Sequence, residues 1–421
     1  MSSFFTNAWR RSLLLLVLPL AMAGAVHADE VTDWHEHMLV ALGNAGIRPP
    51  VSTREASLVS AAVFDAVNGI ERRYAPIHVP AAAPRGASKR AAADQAAYVV
   101  LVARFPSQEP DLGAKRTASL AAIGDEGESM RRGIAWGQTV ADAILLWRST
   151  DGFTPAPPPY LGSEEVGKWR PTPTAFASGA VPQFATMAPW GMLTPDQFRP
   201  AGPPALDTEQ YLADYIEVKQ MGSIDSTLRT EDETDACLFA AATSGTYVWN
   251  RLAIDLAADH GFELSDNARL LATLNLAMAD SVIACWDAKY FYEFWRPVTA
   301  IPLADTDGNP QTIADPAWEP LLATPAHPEY TSGHSSASSA AATVLADYFG
   351  DDTPFMLQSP AAPGWIRIYP SFSAAVDEVT EARVFAGIHF RAACEDGAVL
   401  GSEVAAFILE NSMGRIHGEG E

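Results

Sequence analysis

Residues 286–297 carry the sequence WDAKYFYEFWRP, in which two cations stand among six aromatic side chains. Lys289 and Arg296 are seven residues apart, so a helix would place both on one face, two turns from each other. Glu293 shares that face, and Pro297 is expected to end the helix directly after Arg296. The pattern favours a partly buried helix whose two cations meet an anion. An ordinary surface pair of Lys289 with Glu293 is the alternative that these residues leave open.

The overall charge of the chain makes any cluster of cations unusual. The 421 residues have a formal net charge of −23, and 48% of them are hydrophobic, as in a soluble globular protein. So acidic a surface argues against binding to nucleic acid or to anionic membrane surfaces. A local group of lysine and arginine therefore needs a specific reason.

The first 28 residues have the pattern of an export signal. Arg10 and Arg11 precede an apolar run over 12–25, and Val26-His27-Ala28 offers small residues for cleavage after Ala28. The run is short for a membrane span, so no stable membrane anchor is expected after cleavage, and the protein should be periplasmic or secreted. The paired arginines also loosely fit a twin-arginine signal, which leaves the export route open.

Helical spacing of apolar residues predicts an all-α protein in which no convincing strand is visible. The expected organisation is an N-terminal half over 29–150, a Pro-rich loop over 151–205 and a C-terminal half over 206–421. Thr208 is expected to cap the first helix of the C-terminal half. We predict helices over 34–42, 52–70, 91–104, 115–123, 128–147, 208–221, 231–246, 247–260, 265–296, 332–349, 373–386 and 392–409.

The segment 151–205 combines twelve prolines with several aromatic residues. Such a length without regular structure is typical of a functional lid or a linker. Because its aromatic content is too high for a disordered linker, we expect an ordered loop packed over the protein and over its site.

Three further patterns in the C-terminal half carry chemistry. Ser332-Gly333-His334 stands where a loop enters a helix, so free backbone N–H groups and the helix dipole would favour an anion there; plain capping by Ser332 is the alternative. Arg383 and His389 are six residues apart, and His327 precedes His334 by seven residues. Each pattern alone is equally well explained by packing. Together they offer cations, neutral donors and histidines that suit a tetrahedral or trigonal-bipyramidal oxyanion.

In this order, Lys-x6-Arg-Pro, Ser-Gly-His and Arg-x5-His resemble the signature of the superfamily of vanadium-dependent haloperoxidases and type 2 phosphatidic acid phosphatases. Trp286 and the run 293–297 look more like the haloperoxidase branch. The stretches 61–68, 169–173, 197–200 and 229–230 resemble bacterial relatives of the haloperoxidases. The resemblance implies a pair of helical bundles with the site in the C-terminal half. It also implies that the oxygens of vanadate or phosphate are bound by Lys289, Arg296, Ser332, Gly333 and Arg383.

The resemblance further implies the roles of the histidines. His389 would bond axially to vanadium or attack phosphorus, and His334 would act as the acid–base group opposite it. His327 and Trp286 are halide-site candidates, and histidine at position 327 favours bromide or iodide over chloride. Ala393 departs from the family, which often has an aspartate there; Asp396, two helical turns from His389, is expected to serve instead.

Three functions are compatible with these residues and with the resemblance. The first is a vanadate-dependent haloperoxidase that uses hydrogen peroxide and a halide. The second is an exported acid phosphatase that acts on a phosphate ester through a phosphohistidine at the same site. The third is an oxyanion-binding protein without catalysis, which would not need two histidines on opposite sides of its ligand. The residues leave the oligomeric state open.

Overall fold

The structure, a computed structural model, describes residues 29–125, 127–362 and 364–416. The predicted export signal lies outside these residues. The regular secondary structure of the described residues is helical apart from one small hairpin, which confirms the all-α prediction. Its helices are α1 (Glu30–Asn44), α2 (Val51–Glu71), α3 (Lys89–Arg104), α4 (Glu109–Ala122), α5 (Gly127–Arg148), α6 (Glu209–Met221), α7 (Glu231–Ala242), α8 (Gly245–Asp259), α9 (Leu264–Tyr292), α10 (Pro297–Ala300), α11 (Gly333–Phe349), α12 (Phe372–Phe385) and α13 (Arg391–Asn411).

Helix α9 runs through the centre of the protein. Nearly all of its side chains are buried, which is expected of a helix that is apolar on all sides. It is the one helix among the described residues that is long and apolar enough to cross a membrane, and 94% of its apolar window is buried inside the protein. Helix α2 packs on it from the N-terminal half, and α11 and α13 pack on it from the C-terminal half.

The contact between α11 and α13 depends on small residues. Helix α11 carries serines and alanines over 335–342, and all of these side chains are buried. On α13, a Cβ atom at Gly401 would lie 2.1 Å from the carbonyl oxygen of Ser336. The two backbones therefore approach each other closely, and this holds the start of α11 in place.

The C-terminal end of α9 differs from the prediction. The helix ends at Tyr292 because Glu293 adopts a left-handed conformation with φ of 54°. The backbone of 293–295 then pairs with the Pro-rich segment: Trp169 donates to the Glu293 carbonyl (2.6 Å), and Trp295 donates to the Gly167 carbonyl (3.0 Å). Pro297 begins α10 instead of ending α9. Arg296 thus lies in an extended connection and does not share a helix face with Lys289.

The Pro-rich segment is ordered, as predicted, and packs against α9. It contains one short 3₁₀ turn, Pro182–Thr186. The buried carboxylate of Asp280 on α9 accepts the N–H groups of Trp190, Gly191 and Met192 at 2.7–2.9 Å. These bonds satisfy loop N–H groups that burial would otherwise leave without partners.

One local feature, a short hairpin, was not predicted from the sequence, and another, the cap of α6, was. The strands β1 (Phe355–Gln358) and β2 (Ile366–Tyr369) form an antiparallel hairpin that was not predicted, since strands of four residues give little periodicity. Thr208 caps α6 through its side chain, as predicted.

Candidate oxyanion site

The predicted site residues come from four separate segments that meet beside the end of α9. Trp286 and Lys289 lie in the last two turns of α9, and Arg296 lies just before α10. The segment 327–334 leads into α11, and Arg383 is in the last turn of α12. His389 lies in the connection between α12 and α13.

Arg296 links the two histidines on either side of it. Its guanidinium donates to His389 Nε2 (3.0 Å) and to His327 Nδ1 (2.9 Å). It also donates to the carbonyl oxygens of Ile388 (2.6 Å) and His327 (3.0 Å). The side chain is fully buried, and burial lowers the pKa of Arg296 to about 10, so it stays charged at neutral pH.

Glu329 is a site residue that the sequence analysis missed. Its Oε1 atom accepts from His389 Nδ1 (2.8 Å) and from the backbone N–H of Phe390 (2.9 Å). A carboxylate at Nδ1 and an arginine donor at Nε2 require the same tautomer of His389, with the proton on Nδ1 and the lone pair on Nε2. Glu329 therefore orients the nitrogen that the resemblance assigns to vanadium or phosphorus.

The expected helper of His389 was different. Asp396 accepts a hydrogen bond from Tyr330 (2.6 Å) and has no bond to His389 among the described residues, so the prediction for Asp396 is wrong. The carboxylate comes from the loop before α11 and not from α13. The only signal in the sequence was an acidic residue three positions before Ser332, with no known spacing to support it.

Lys289 is fully buried, and its donors point at the loop before α11. The ammonium group donates to the carbonyl oxygens of Pro328 (3.0 Å), Glu329 (2.9 Å) and Thr331. Burial lowers the pKa of Lys289 to about 8. Glu293, expected on the same face, instead accepts from Tyr160 and lies 3.6 Å from Lys168.

Ser332 caps α11, as the alternative interpretation held. Its hydroxyl accepts from the N–H (3.3 Å) and the hydroxyl (2.9 Å) of Ser335. The N–H groups of Gly333 and His334 have no acceptor inside the helix by helix geometry, so they remain available for an anion. A Cβ atom at Gly333 would lie 3.2 Å from the ring of Trp286, which leaves little room for a larger residue.

Arg383 supplies the least satisfied cation of the site. Only 3% of the residue is exposed, yet its Nε and Nη1 atoms are buried without a hydrogen-bond partner in the described chain. Burial lowers the pKa of Arg383 to about 10. The positive charge of Arg383, together with burial, holds the pKa of His334 well below its ordinary value, so this imidazole is neutral at pH 7.

His327 and Trp286 form an aromatic wall next to these groups. Their ring centroids are 5.0 Å apart at an angle of 44°. The indole N–H of Trp286 donates to the carbonyl oxygen of Ala180 in the Pro-rich segment (3.2 Å). Burial and the charges of Lys289 and Arg296 hold the pKa of His327 well below its ordinary value.

A cavity of about 420 Å³ opens onto this cluster. The predicted residues that line it are Trp286, His327, Gly333, His334, Arg383 and His389. Lys289, Arg296 and Ser332 do not line it; their side chains bind backbone groups of the segments that carry the lining residues. None of the lining residues comes from 151–205, and the position of this segment over the site stays a prediction.

The charges of the cluster do not balance within the described residues. Lys289, Arg296 and Arg383 are buried cations, and the carboxylate of Glu329, which is bonded to His389, is the one that accompanies them among the described residues. Burial raises the pKa of Glu329 to about 7, which weakens even this compensation. Buried cations without a counter-ion are costly, so the site suits a bound anion. The unpartnered nitrogens of Arg383 and the free N–H groups at the start of α11 fit the oxygens of vanadate or phosphate.

Comparisons with known proteins agree with this geometry. The family model of the VCPO second helical-bundle domain matches residues 269–418, which include every site residue described above. The vanadium chloroperoxidase of Curvularia inaequalis is 33% identical over 95 residues, a stretch that spans 20% of this chain and 15% of that protein.

Solved structures extend the similarity to nearly the whole chain. The first bacterial vanadium-dependent iodoperoxidase superposes with a TM-score of 0.80 at 26% identity, covering 93% of this chain and 98% of that chain. A holo-type bacterial vanadium-dependent chloroperoxidase superposes with a TM-score of 0.69 at 18% identity over 86% of this chain and 91% of its own, and shares the fold.

Fold and site define an all-α protein of the vanadium haloperoxidase architecture with a buried cationic site. Residues 269–418 match the second helical-bundle domain of the vanadium chloroperoxidase family, and nearly the whole chain shares the fold of bacterial vanadium haloperoxidases. The resemblance seen in the three sequence motifs is therefore confirmed.

Proposed function

We propose that this protein is a vanadate-dependent haloperoxidase that oxidises bromide or iodide with hydrogen peroxide to hypohalous acid. The observation that carries the proposal is the excess of buried positive charge beside His389, whose Nε2 lone pair is directed at the cluster by Glu329. A buried group of this kind needs an oxyanion, and a neutral imidazole nitrogen is a suitable ligand for a metal centre. The similarity of this chain to vanadium-dependent haloperoxidases supports vanadate as that oxyanion.

The residues on the cavity wall would hold vanadate together with the cations behind them. Arg383 and the N–H groups of Gly333 and His334 would donate to its oxygens. His389 Nε2 would be the protein ligand to the metal, and the Arg296 guanidinium that donates to this nitrogen in the structure would then turn to an oxygen of the anion. When bound, vanadate supplies the Lewis acidity that activates peroxide toward halide. Lys289 and Arg296 stabilise the negative charge of the bound group and hold the segments 328–331 and 388–389 in register.

His334 is the proposed acid–base group. Because Arg383 keeps this imidazole neutral, a ring nitrogen of His334 can accept the proton that hydrogen peroxide loses on entering the site. The same nitrogen can later return that proton to a leaving oxygen. His334 lines the cavity, so the proton moves at the surface that peroxide reaches.

The preference for bromide or iodide is assigned to the wall made by His327 and Trp286. Both rings line the cavity, and His327 is neutral and held by Arg296. Large polarisable halides lose less hydration energy on entering such an aromatic, water-poor wall than chloride does. One solved relative is described as an iodoperoxidase, which agrees with this assignment.

Acid phosphatase activity is the second candidate, and one observation favours it. A histidine whose Nδ1 is bound by a buried carboxylate is also well prepared to attack phosphorus through Nε2. The two functions differ in what vanadate does, because vanadate would activate a haloperoxidase and inhibit a phosphatase.

The test compares three reactions of one preparation that has been freed of bound anions. Triiodide formation from iodide and peroxide, bromination of phenol red, and hydrolysis of 4-nitrophenyl phosphate are measured with and without added vanadate. We expect the first two reactions to depend on vanadate and to be lost in His389→Ala but not in His260→Ala, whose exposed histidine lies at the end of α8. Ester hydrolysis that vanadate inhibits, without either oxidation, would instead establish a phosphatase.

Export of the mature protein is proposed on the sequence of residues 1–28. Cleavage after Ala28 would make Asp29 the new N-terminal residue; its side chain caps α1 by accepting the N–H groups of Val31 (2.9 Å) and Thr32 (3.0 Å). Intact-mass analysis of cell fractions tests this proposal. Protein of full mass found only in the cytoplasm would contradict it.

A further inference from the structure

The cavity beside the site is much larger than the reactants of the proposed reaction require. Its volume of about 420 Å³ is in the range of pockets that bind organic ligands, about 300–1,000 Å³, whereas a halide ion and a peroxide molecule fill only a small part of it. A cavity of this size next to reactive groups therefore indicates a further ligand.

One wall of the cavity is apolar. Met278 and Val282 lie four residues apart on α9, so they present one continuous surface, and Ala337 of α11 extends it toward His334. Leu322, Ala323 and Pro325 line the cavity as well. This wall offers no hydrogen bond, so it suits the body of an apolar molecule.

The rim of the cavity carries a cation without a partner. Arg48 lines the cavity from the connection between α1 and α2; it is exposed and has no ion pair among the described residues. The nearby Arg54 and Arg104 both pair with Glu55, and Arg54 also pairs with Asp151. In a chain with a net charge of −23, an unpaired arginine at a cavity rim is a candidate for binding an acidic group.

We propose that this cavity binds the organic acceptor of the halogen: a compact aromatic molecule with one acidic group. Its ring would lie against Met278, Val282 and Ala337, and its acid group would meet Arg48, which leaves an activated ring carbon facing the His334 end of the cavity. This inference rests on the proposed haloperoxidase function, which supplies hypohalous acid at that end.

Transfer of the halogen to the ring is an electrophilic aromatic substitution. The carbon–halogen bond forms as the oxygen–halogen bond of hypohalous acid breaks, so the carbon is oxidised and the halogen is reduced. The ring proton leaves and joins the released hydroxide as water. Hypohalous acid that reacts inside the cavity would select acceptors by fit, whereas free hypohalous acid selects them by reactivity alone.

Two probes distinguish these cases: 6-hydroxy-2-naphthoate, which has a carboxylate, and 2-naphthol, which shares the activated ring system without it. Binding is measured first, by fluorescence titration of protein free of vanadate, so that it does not depend on turnover. We expect the naphthoate to bind at least about fivefold more tightly than 2-naphthol, and Arg48→Gln to remove this difference. Arg85→Gln replaces another exposed arginine of the N-terminal half, outside the cavity lining, and should leave the difference unchanged.

Selectivity is measured next, by bromination of an equimolar mixture of the two probes. The quantity compared is the ratio of brominated naphthoate to brominated 2-naphthol. We expect this ratio to be higher with the wild-type enzyme than with added hypobromous acid. With Arg48→Gln, the ratio should equal that obtained with added hypobromous acid. Ala241→Phe fills the cavity from an exposed lining position of α7, and should weaken binding of both probes; Ala121→Phe, on the exposed surface of α4, is its control.

Triiodide formation, which needs no organic acceptor, separates the two proposals. If the wild-type ratio equals that of free hypobromous acid and neither probe binds, the acceptor site is disproved while triiodide formation still supports the haloperoxidase. If the probes bind and triiodide never forms, the haloperoxidase proposal fails instead. Circular dichroism confirms that each variant is folded.

Discussion

At the scale of single residues, Glu329 determines which nitrogen of His389 faces the anion site. The carboxylate holds Nδ1–H, and Arg296 donates to Nε2, so ring rotation or a change of tautomer would break two buried hydrogen bonds. Second-shell carboxylates of this kind raise the basicity of a ligand histidine and fix its orientation. Glu329 is therefore a positioning residue, although it does not itself line the cavity.

Replacement of Glu329 by glutamine should weaken vanadate binding about 10- to 100-fold. The amide lacks the negative charge that stabilises the Nδ1–H form, and it leaves the buried cations with less compensation. Equilibrium binding of vanadate to the purified variant measures the effect. Glu329→Asp should restore part of the affinity, because a carboxylate returns with a shorter reach.

Asp396→Asn is the matched control for Glu329→Gln. Its carboxylate accepts from Tyr330 and does not touch His389, so vanadate affinity should stay within about twofold of the wild type. An equal loss of affinity in both variants would show that the Glu329 effect is general destabilisation and not positioning.

Lys289 should make oxyanion binding pH-dependent near pH 8. Burial lowers its pKa to about 8, so the ammonium charge is present below this pH and is lost as the pH rises through it. Arg296 and Arg383, whose pKa values are about 10, keep their charges over the same step. Glu329, whose pKa is about 7, gains its negative charge mainly below this step. Affinity for an oxyanion should therefore fall above about pH 8.

Calorimetric titration with tungstate at a series of pH values on either side of about pH 8 measures this step. Lys289→Met should bind tungstate more weakly and without the step. A step of the same size in the variant would assign the pH dependence to another group.

At the scale of the elements, the packing of α11 on α13 places the Ser332–His334 turn. Gly401 allows this packing, because a Cβ atom there would meet the Ser336 backbone at 2.1 Å, which the rigid helix cannot avoid by moving a side chain. Alanine has a higher helix propensity than glycine by about 1 kcal/mol, but overpacking costs about 1–3 kcal/mol. The clash therefore determines whether the substitution raises or lowers the free energy of unfolding.

Gly401→Ala is thus predicted to lower the free energy of unfolding by about 1–2 kcal/mol and to weaken oxyanion binding by displacing the start of α11. Urea denaturation measures the stability. Gly113→Ala is the control: on α4 the added Cβ would be 3.8 Å from the Tyr98 hydroxyl, an ordinary contact, so this change should be neutral or stabilising. A stabilised Gly401→Ala variant would contradict the close contact.

At the scale of the whole molecule, the site is a region where stability is given up for binding. Arg383 keeps two buried nitrogens without partners. Among the described residues, the carboxylate of Glu329 that lies beside the three cations is bonded to His389 and Phe390 and not to any of them. Ligand binding to the folded state offsets this cost by mass action, by about 2.7 kcal/mol at a ligand concentration of 100 times Kd. The melting temperature should rise accordingly with added vanadate or phosphate.

Arg383→Met separates stability from binding. Without an anion, the variant should be as stable as the wild type or more stable, because an apolar side chain replaces an unpartnered buried charge. Added anion should then raise its melting temperature much less than that of the wild type, as differential scanning calorimetry would show. Arg391→Met, which breaks pairs with Glu217 (2.5 Å) and Glu381 (2.6 Å), should keep the full anion response. A full response in Arg383→Met would exclude Arg383 from the site.

The sequence by itself determined the helical class, most helix positions and the six motif residues that line the cavity. These properties depend on local physics: the period of apolar residues, capping chemistry at Thr208 and Ser332, and residue types that suit an oxyanion. Such signals lie within a few turns of one helix or within one motif.

Only the tertiary structure decided how α9 ends, which acid serves His389 and where the donors of Lys289 point. Glu293 leaves the helix because the backbone after it pairs with 167–169, more than a hundred residues earlier in the chain. Glu329 meets His389 across 60 residues, and Lys289 finds its carbonyl acceptors about 40 residues ahead. Hydrogen bonds between distant segments leave no periodic trace in the sequence, because their partners are selected by the packing of the helices that carry them.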